Sequence, residues 1–309
     1  MRVTVVGAGV VGLTCAVRLL EEGHRVDVLA RDLPLETTSA VAAAIWHPSR
    51  SFPFDRVLAW SARSYDVFAG LAGVDGAGVT MRGGIEVFAA PQDEPWWRSA
   101  VPAVDHVTPP AGYGDAWTFE APVVEMPVYL TWLGSRVEEL GGTITRLNLS
   151  ALPVGPDAVV NCSGIGARLL AADSSVGPAR GQVVHLSQVG LERWYLDSSA
   201  EPTYVVPRAH DIVVGGTDQE GEWSRTPSPD DADAILARAR RLVPELEAAA
   251  VLRHRVGLRP ARPQVRVERV AGGGTSVVHC YGHGGAGVTL SWGTADEVVA
   301  LVSADPNQR

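Results

Sequence analysis

The first thirty residues restrict the fold more than any other part of the chain. Arg2 to Val6 is a short β-branched run of the kind that forms a buried parallel strand. Gly7-Ala8-Gly9-Val10-Val11-Gly12 follows at once, and Leu13, Ala16, Val17 and Leu20 then recur at helical spacing up to a stop at Gly23. Arg25 to Leu29 reads as a second strand. Glycine clusters are common in a chain with 33 glycines, but this one sits between a strand and a helix, which makes it specific. The first glycine permits the tight turn and the second lets backbone approach a pyrophosphate. The third lets helix and strand pack closely, with the phosphates at the helix N-terminus. Gly7, Ala8, Gly9, Val10, Val11 and Gly12 are therefore expected to cradle a dinucleotide. An acid for the ribose is expected at the end of the second strand, where Arg31-Asp32 stands. Asp32 either serves the ribose or caps the next turn. Arg31 could meet a 2′-phosphate, so this unit alone leaves NADP open.

A chain of 309 residues buries a sizeable core and is expected to form two lobes. The net charge of −9 argues against a nucleic-acid surface. All 26 fixed side-chain cations are arginine, which excludes a lysine Schiff base and a P-loop. Cys15, Cys162 and Cys280 lie far apart in sequence and form no metal-type pair, so no metal site is expected. No run of eighteen apolar residues marks a membrane span. With a strand starting at Arg2, no disulfide framework and no peroxisomal address at Asn307-Gln308-Arg309, the expected location is the cytoplasm.

Residues 56–71 are amphipathic, 81–89 alternate like a strand, and 91–120 read as loops and edge strands. A helix is predicted over 128–140 and strands over 143–147 and 157–161. The last ends at a second glycine turn, Cys162 to Gly166, which indicates a return to the first sheet. Antiparallel strands are predicted at 182–186, 204–207 and 212–216, and a solvated helix over 230–246. Near the end, a strand at 277–281, a glycine turn at 282–287 and a helix over 288–301 with a weak point at Gly293 build another anion-binding turn. The expected fold is α/β, a Rossmann-type dinucleotide domain (1–50, 140–182, 255–309) interleaved with a mixed antiparallel-sheet substrate domain (51–139, 183–254).

Several separate motifs together resemble the D-amino-acid oxidase family over nearly the whole chain. They are residues 5–12, Thr37 to Trp46, Val160 to Gly164, Arg180-Gly-Gln182, Tyr204 to Pro207, Gly257-Leu-Arg-Pro260 and His279 to Gly287. The resemblance implies FAD as cofactor and oxidative deamination of a D-amino acid by hydride transfer from Cα. The products would be a 2-oxo acid, ammonia and, after reaction with dioxygen, hydrogen peroxide. It places Arg259 and Tyr204 on the substrate carboxylate and the Gly285 carbonyl on the amine. It implies no protein base at carbon. Flavin contacts would come from Ala8, Arg31, Asp32, Thr37, Thr38, Ser39, Ala44, Ile45, Ile165, Gln182, Arg259, Gly284, Gly285, Gly287, Val288 and Thr289. A homodimer is compatible with it.

Animal members carry a second substrate tyrosine where Ala200 stands, and Tyr195 is a weak substitute. His279 and His283 are read as buried or hydrogen-bonded rather than basic, and His47 as lining the pocket or closing a turn. Aspartate-directed relatives carry an arginine in the Gly215-Gly-Thr segment. Here Asp218 follows that segment and would repel a second carboxylate, so neutral D-amino acids are the expected substrates. The rivals are a glycine- or sarcosine-oxidase-like enzyme, a D-aspartate oxidase, a nicotinamide-dependent dehydrogenase and a non-catalytic nucleotide-binding protein.

Overall fold

The computed structural model describes residues 1–48, 51–199, 201–270 and 275–304. Its first half runs β1 (Arg2–Val6), α1 (Val10–Glu21), β2 (Arg25–Ala30), α2 (Phe54–Leu71), β3 (Val79–Phe88), β4 (Val104–His106) and β5 (Asp115–Val124). Then come α3 (Met126–Glu139), β6 (Thr143–Arg146), β7 (Ala158–Asn161), α4 (Ala167–Leu170), β8 (Gly177–Ser187), β9 (Trp194–Asp197), β10 (Thr203–Pro207) and β11 (Asp211–Gly215). The last elements are β12 (Gln219–Glu220), α5 (Pro229–Leu242), β13 (Val251–Ala261), β14 (Arg266–Val270), β15 (Ser276–Tyr281) and α6 (Gly287–Ser303).

Among the described residues these strands form two sheets. The first has the order β14-β15-β7-β1-β2-β6 and is parallel except for β14. Its centre is apolar and shielded from solvent: Val3, Val5, Val159 and Val160 are fully buried. β7 enters beside β1, with Val5 opposite Val160, so the return to the first sheet is real. The second sheet has the order β12-β8-β11-β10-β9-β3-β5-β4, with β13 pairing β8. The mixed α/β fold expected from the sequence is the one observed.

Helices α1, α2, α3 and α6 share one apolar core with the first sheet, through Leu13, Trp60, Leu130 and Leu290 among others. Gly293, which reads as a weak point by propensity, is a point of close approach. A Cβ there would stand 2.3 Å from the Trp60 Cα, so its cost in helix propensity is offset by tighter packing of α2 on α6. The solvated helix predicted to run to Leu246 ends at Leu242, because Pro244 cannot continue it and a 3₁₀ turn takes over. Its Ser228 hydroxyl accepts from the Asp231 amide at 3.2 Å, and Asp230 and Asp231 occupy the first turn. Strands β9 and β12 have too few residues to show a period, and sequence reading missed both.

Candidate functional site

A cavity of about 830 Å³ runs from the β1–α1 turn of the first sheet to the face of β8, β10 and β13 in the second. At the first end the wall is backbone. Gly7 holds φ +113°, and a Cβ on it would lie 2.4 Å from the Cys162 carbonyl oxygen. A Cβ on Gly12 would lie 2.0 Å from the Gly7 oxygen. Neither position accepts a side chain, so bare backbone faces the cavity beside the start of α1. The Val10 amide donates to Ser39 Oγ at 3.0 Å, which fixes the 38–41 turn against the helix N-terminus. Arg31 and Asp32 pair at 2.6 Å on the same rim.

The segment after that turn is stitched to β5. The Val124 amide donates to the Ala44 oxygen at 2.8 Å, and the Trp46 amide donates to the Pro122 oxygen at 2.9 Å. Between them Ala44 is held at φ +60°, a conformation that L side chains rarely adopt, and this strained backbone lines the cavity. Such a residue persists because the bonds on either side over-determine it.

The other end is built from side chains. Arg259 lies on β13 opposite Ala179 of β8, and its guanidinium rests over Gly181, where a Cβ would come within 2.4 Å of Nη2. Its Nη1 donates to the Thr217 oxygen at 2.8 Å and lies 3.5 Å from Asp218 Oδ1. The Tyr204 ring lies over Gly215, where a Cβ would come within 2.3 Å of the hydroxyl. Burial raises the Tyr204 phenol above its usual value, and the adjacent Arg259 partly offsets that rise. Gly285 packs against Arg259, with its hypothetical Cβ 3.5 Å from Cδ. A guanidinium fork, a phenol and a bare backbone turn thus converge on one space.

Most of the expected cofactor residues line this cavity: Gly7 to Gly12, Arg31, Asp32, Thr37, Thr38, Ser39, Ala44, Ile45, Ile165, Gly284, Gly285, Gly287 and Val288. The side chains of Gln182 and Thr289 do not face it. Alternate residues of a strand face opposite sides, so Gly181 and Val183 meet the cavity while Gln182 points away. Its Nε2 donates to the Ser228 oxygen at 2.7 Å, its Oε1 accepts from Arg180 at 2.9 Å, and the side chain is fully buried. The Thr289 hydroxyl is used inside the protein, accepting from the His47 amide at 3.1 Å. Ala200 lies outside the described residues, and Tyr195 packs against the core under α5.

Sequence reading missed Glu86. This carboxylate on β3 is 4% exposed, lies 3.1 Å from His47 Nε2 and accepts from Ser198 Oγ at 2.5 Å. Burial alone would raise its pKa, but the His47 charge and the hydrogen bonds from His47 and Ser198 bring it below the usual carboxylate value. His47 and Ser198 both line the cavity, and the His47 ring stands edge-on to Trp97 at 5.5 Å. Nothing local in the alternating strand marks Glu86 as anything but a solvent-facing acid. His279 is buried, and its Nδ1 faces the Asn161 amide nitrogen at 3.3 Å. Burial depresses its pKa to about 4, so a neutral ring is the form the fold accepts.

The site's residues fit a flavin dinucleotide: a backbone cradle at one end, an apolar passage, and a second glycine turn at the start of α6. The family model described as FAD dependent oxidoreductase matches residues 2–301. The chain is 50% identical to a D-amino-acid oxidase of Rubrobacter xylanophilus, covering 98% of this chain and 96% of that protein. It is 40% identical to a D-amino-acid oxidase of Streptomyces coelicolor, covering 97% and 96%. A glycine oxidase structure from Geobacillus kaustophilus superposes with a TM-score of 0.82 at 22% identity, covering 97% of this chain and 94% of that one. A match over nearly the full length, with the glycine turns and the Arg259 fork meeting in one cavity, places the chain in the FAD-dependent oxidoreductase family that includes the D-amino-acid oxidases.

Proposed function

We propose that the chain deaminates D-amino acids oxidatively, with neutral side chains preferred. The bound FAD supplies the two-electron acceptor for the hydride leaving Cα. The imino acid released hydrolyses to a 2-oxo acid and ammonia, and dioxygen closes the cycle as hydrogen peroxide. In this reading the six-stranded sheet carries the cofactor and the nine-stranded sheet the substrate. A homodimer and a cytoplasmic location belong to the same proposal. Among the described residues no helix is long and apolar enough to cross a membrane.

The observation that carries this reading is the position of Arg259, whose guanidinium enters the cavity over Gly181 beside Tyr204 and Gly285. A guanidinium fork matches a carboxylate with two parallel hydrogen bonds. The Tyr204 hydroxyl donates to the same carboxylate, and the Gly285 carbonyl accepts from the amine. With carboxylate and amine fixed, Cα has one orientation for its hydrogen and one for its side chain, and that is the origin of enantioselectivity. No side chain has to take a proton from carbon. Asp218 lines the cavity 3.5 Å from Arg259 and disfavours a second carboxylate nearby.

The test is a peroxide assay of the purified chain over a panel of D- and L-amino acids. Peroxide from neutral D-amino acids and none from their L-enantiomers is expected. Equal rates on both series, or a yellow protein that oxidises neither, overturns the assignment.

A further inference from the structure

Cys15, Cys162 and Cys280 are separated by more than a hundred residues along the chain, yet the fold brings their sulfurs together. Cys15 comes from α1, Cys162 from the turn after β7 and Cys280 from β15, and all three Sγ atoms lie within 4.8 Å of one another. The Cys162 and Cys15 sulfurs are 3.8 Å apart. All three are buried, at 0%, 8% and 1% exposure, and none is in a disulfide. Cys162 and Cys280 form part of the cavity wall, so the cluster lies directly behind it. Beside it stands His283, which contacts Cys280. That histidine is 5% exposed, and its Nε2 has no hydrogen-bond partner among the described residues.

We propose that Cys15, Cys162 and Cys280 form a binding site for one soft divalent ion of the zinc class, directly beneath the cofactor's phosphate turn. The spacing decides between this and a disulfide. A tetrahedral ion with metal–sulfur bonds of about 2.3 Å needs sulfurs about 3.8 Å apart. The Cys15–Cys162 edge, at 3.8 Å, already has that length. The third sulfur, within 4.8 Å of both, needs at most a shift of roughly an ångström. A disulfide needs about 2.05 Å between sulfurs, so the Cys15–Cys162 pair, at 3.8 Å, would have to close by well over an ångström inside a packed core.

Three thiolates are a soft donor set, which selects zinc and its congeners over magnesium or calcium. The remaining position falls to water, because no histidine nitrogen among the described residues lies within 4.8 Å of all three sulfurs. An ion there joins α1, β7 and β15 at one point. Because the Cys162 carbonyl supports Gly7, the ion also stiffens the turn expected to hold the pyrophosphate. The inference is independent of the substrate reading.

The experiment titrates cadmium chloride into the reduced full-length chain, once flavin-loaded and once freed of flavin, and follows the ultraviolet thiolate-to-cadmium absorbance. One ion per chain is expected in at least one of the two forms. Cys15→Ala, at a position outside the cavity wall, should weaken binding by about 100-fold or more, since removing even an outer-shell partner costs about 10–100-fold. Cys280→Ser reports the same loss independently should the helix substitution fail to fold, with thermal melting as the control for both. Absence of the band in both forms, or a band that survives in a folded variant at undiminished affinity, overturns the proposal.

Discussion

In the proposed reading the two ends of the cavity share one task, holding an anion, but they are built from different materials. At the β1–α1 turn the receptor is backbone, and its residues are chosen for what they lack. Between β8, β10 and β13 the receptor is a set of side chains, Arg259 and Tyr204, laid over glycines from neighbouring strands. The backbone receptor is local, its six residues consecutive. The side-chain receptor is assembled from segments some 80 residues apart in sequence, and it exists only when strand register brings them together.

The comparison breaks first at Gly7. Gly7→Ala puts a methyl 2.4 Å from the Cys162 oxygen at a φ of +113°, a combination that costs about 2–4 kcal/mol. The expected outcome is a chain purified without yellow colour and with a lowered Tm. Flavin absorbance and a melting curve check it, and wild-type flavin content would mean the turn is not the receptor. At the other end, Arg259→Ala should keep the flavin and raise KM for D-alanine by roughly ten- to a hundredfold, the worth of a charge-assisted bond. Tyr204→Phe removes one neutral donor and should raise KM less. Steady-state kinetics rank the two, and the reverse order would make Tyr204 the principal anchor.

What was legible in the sequence follows the same division. The glycine spacing at 7–12 marked the β1–α1 turn that lines the cavity because its geometry is carried by consecutive residues. The Arg259 role came only from resemblance, since nothing within Gly257-Leu-Arg-Pro260 says that Gly181 will lie beneath the guanidinium. The direction of the Gln182 side chain was hidden because a motif fixes which residue is present but not which face of β8 it takes. Glu86 was invisible for a related reason: its partners His47 and Ser198 lie 39 and 112 residues away. The convergence of three cysteines was hidden in the same way.

Two smaller effects sharpen the contrast. His279 belongs to the backbone end and is held neutral, with its pKa lowered from about 6.5 to about 4. Its contribution to stability is complete above pH 6.5 and is lost as the pH falls towards 4, because the unfolded chain binds the proton first. Tm measured across that range should decline with acidification, and His279→Gln should flatten the slope. At the side-chain end, Asp218→Asn removes a partly exposed charge 3.5 Å from Arg259 and should lower KM for D-aspartate by roughly two- to fivefold. A smaller change is expected for D-alanine. Equal changes for both substrates would show that Asp218 weakens the Arg259 fork generally and does not select side chains.

The long pairing of β8 with β13, which runs from Leu186 opposite Val251 to Gly177 opposite Ala261, works like the teeth of a zip fastener. Inserting or deleting one residue in β13 ahead of Gly257 is expected to turn Arg259 to the opposite side of the sheet while leaving every residue of the cavity wall unmutated. An enzyme damaged in this way would still be yellow and folded, yet blind to its substrate. An indel among residues 251–256, none of which lines the cavity, should therefore cost as much substrate affinity as loss of the arginine itself.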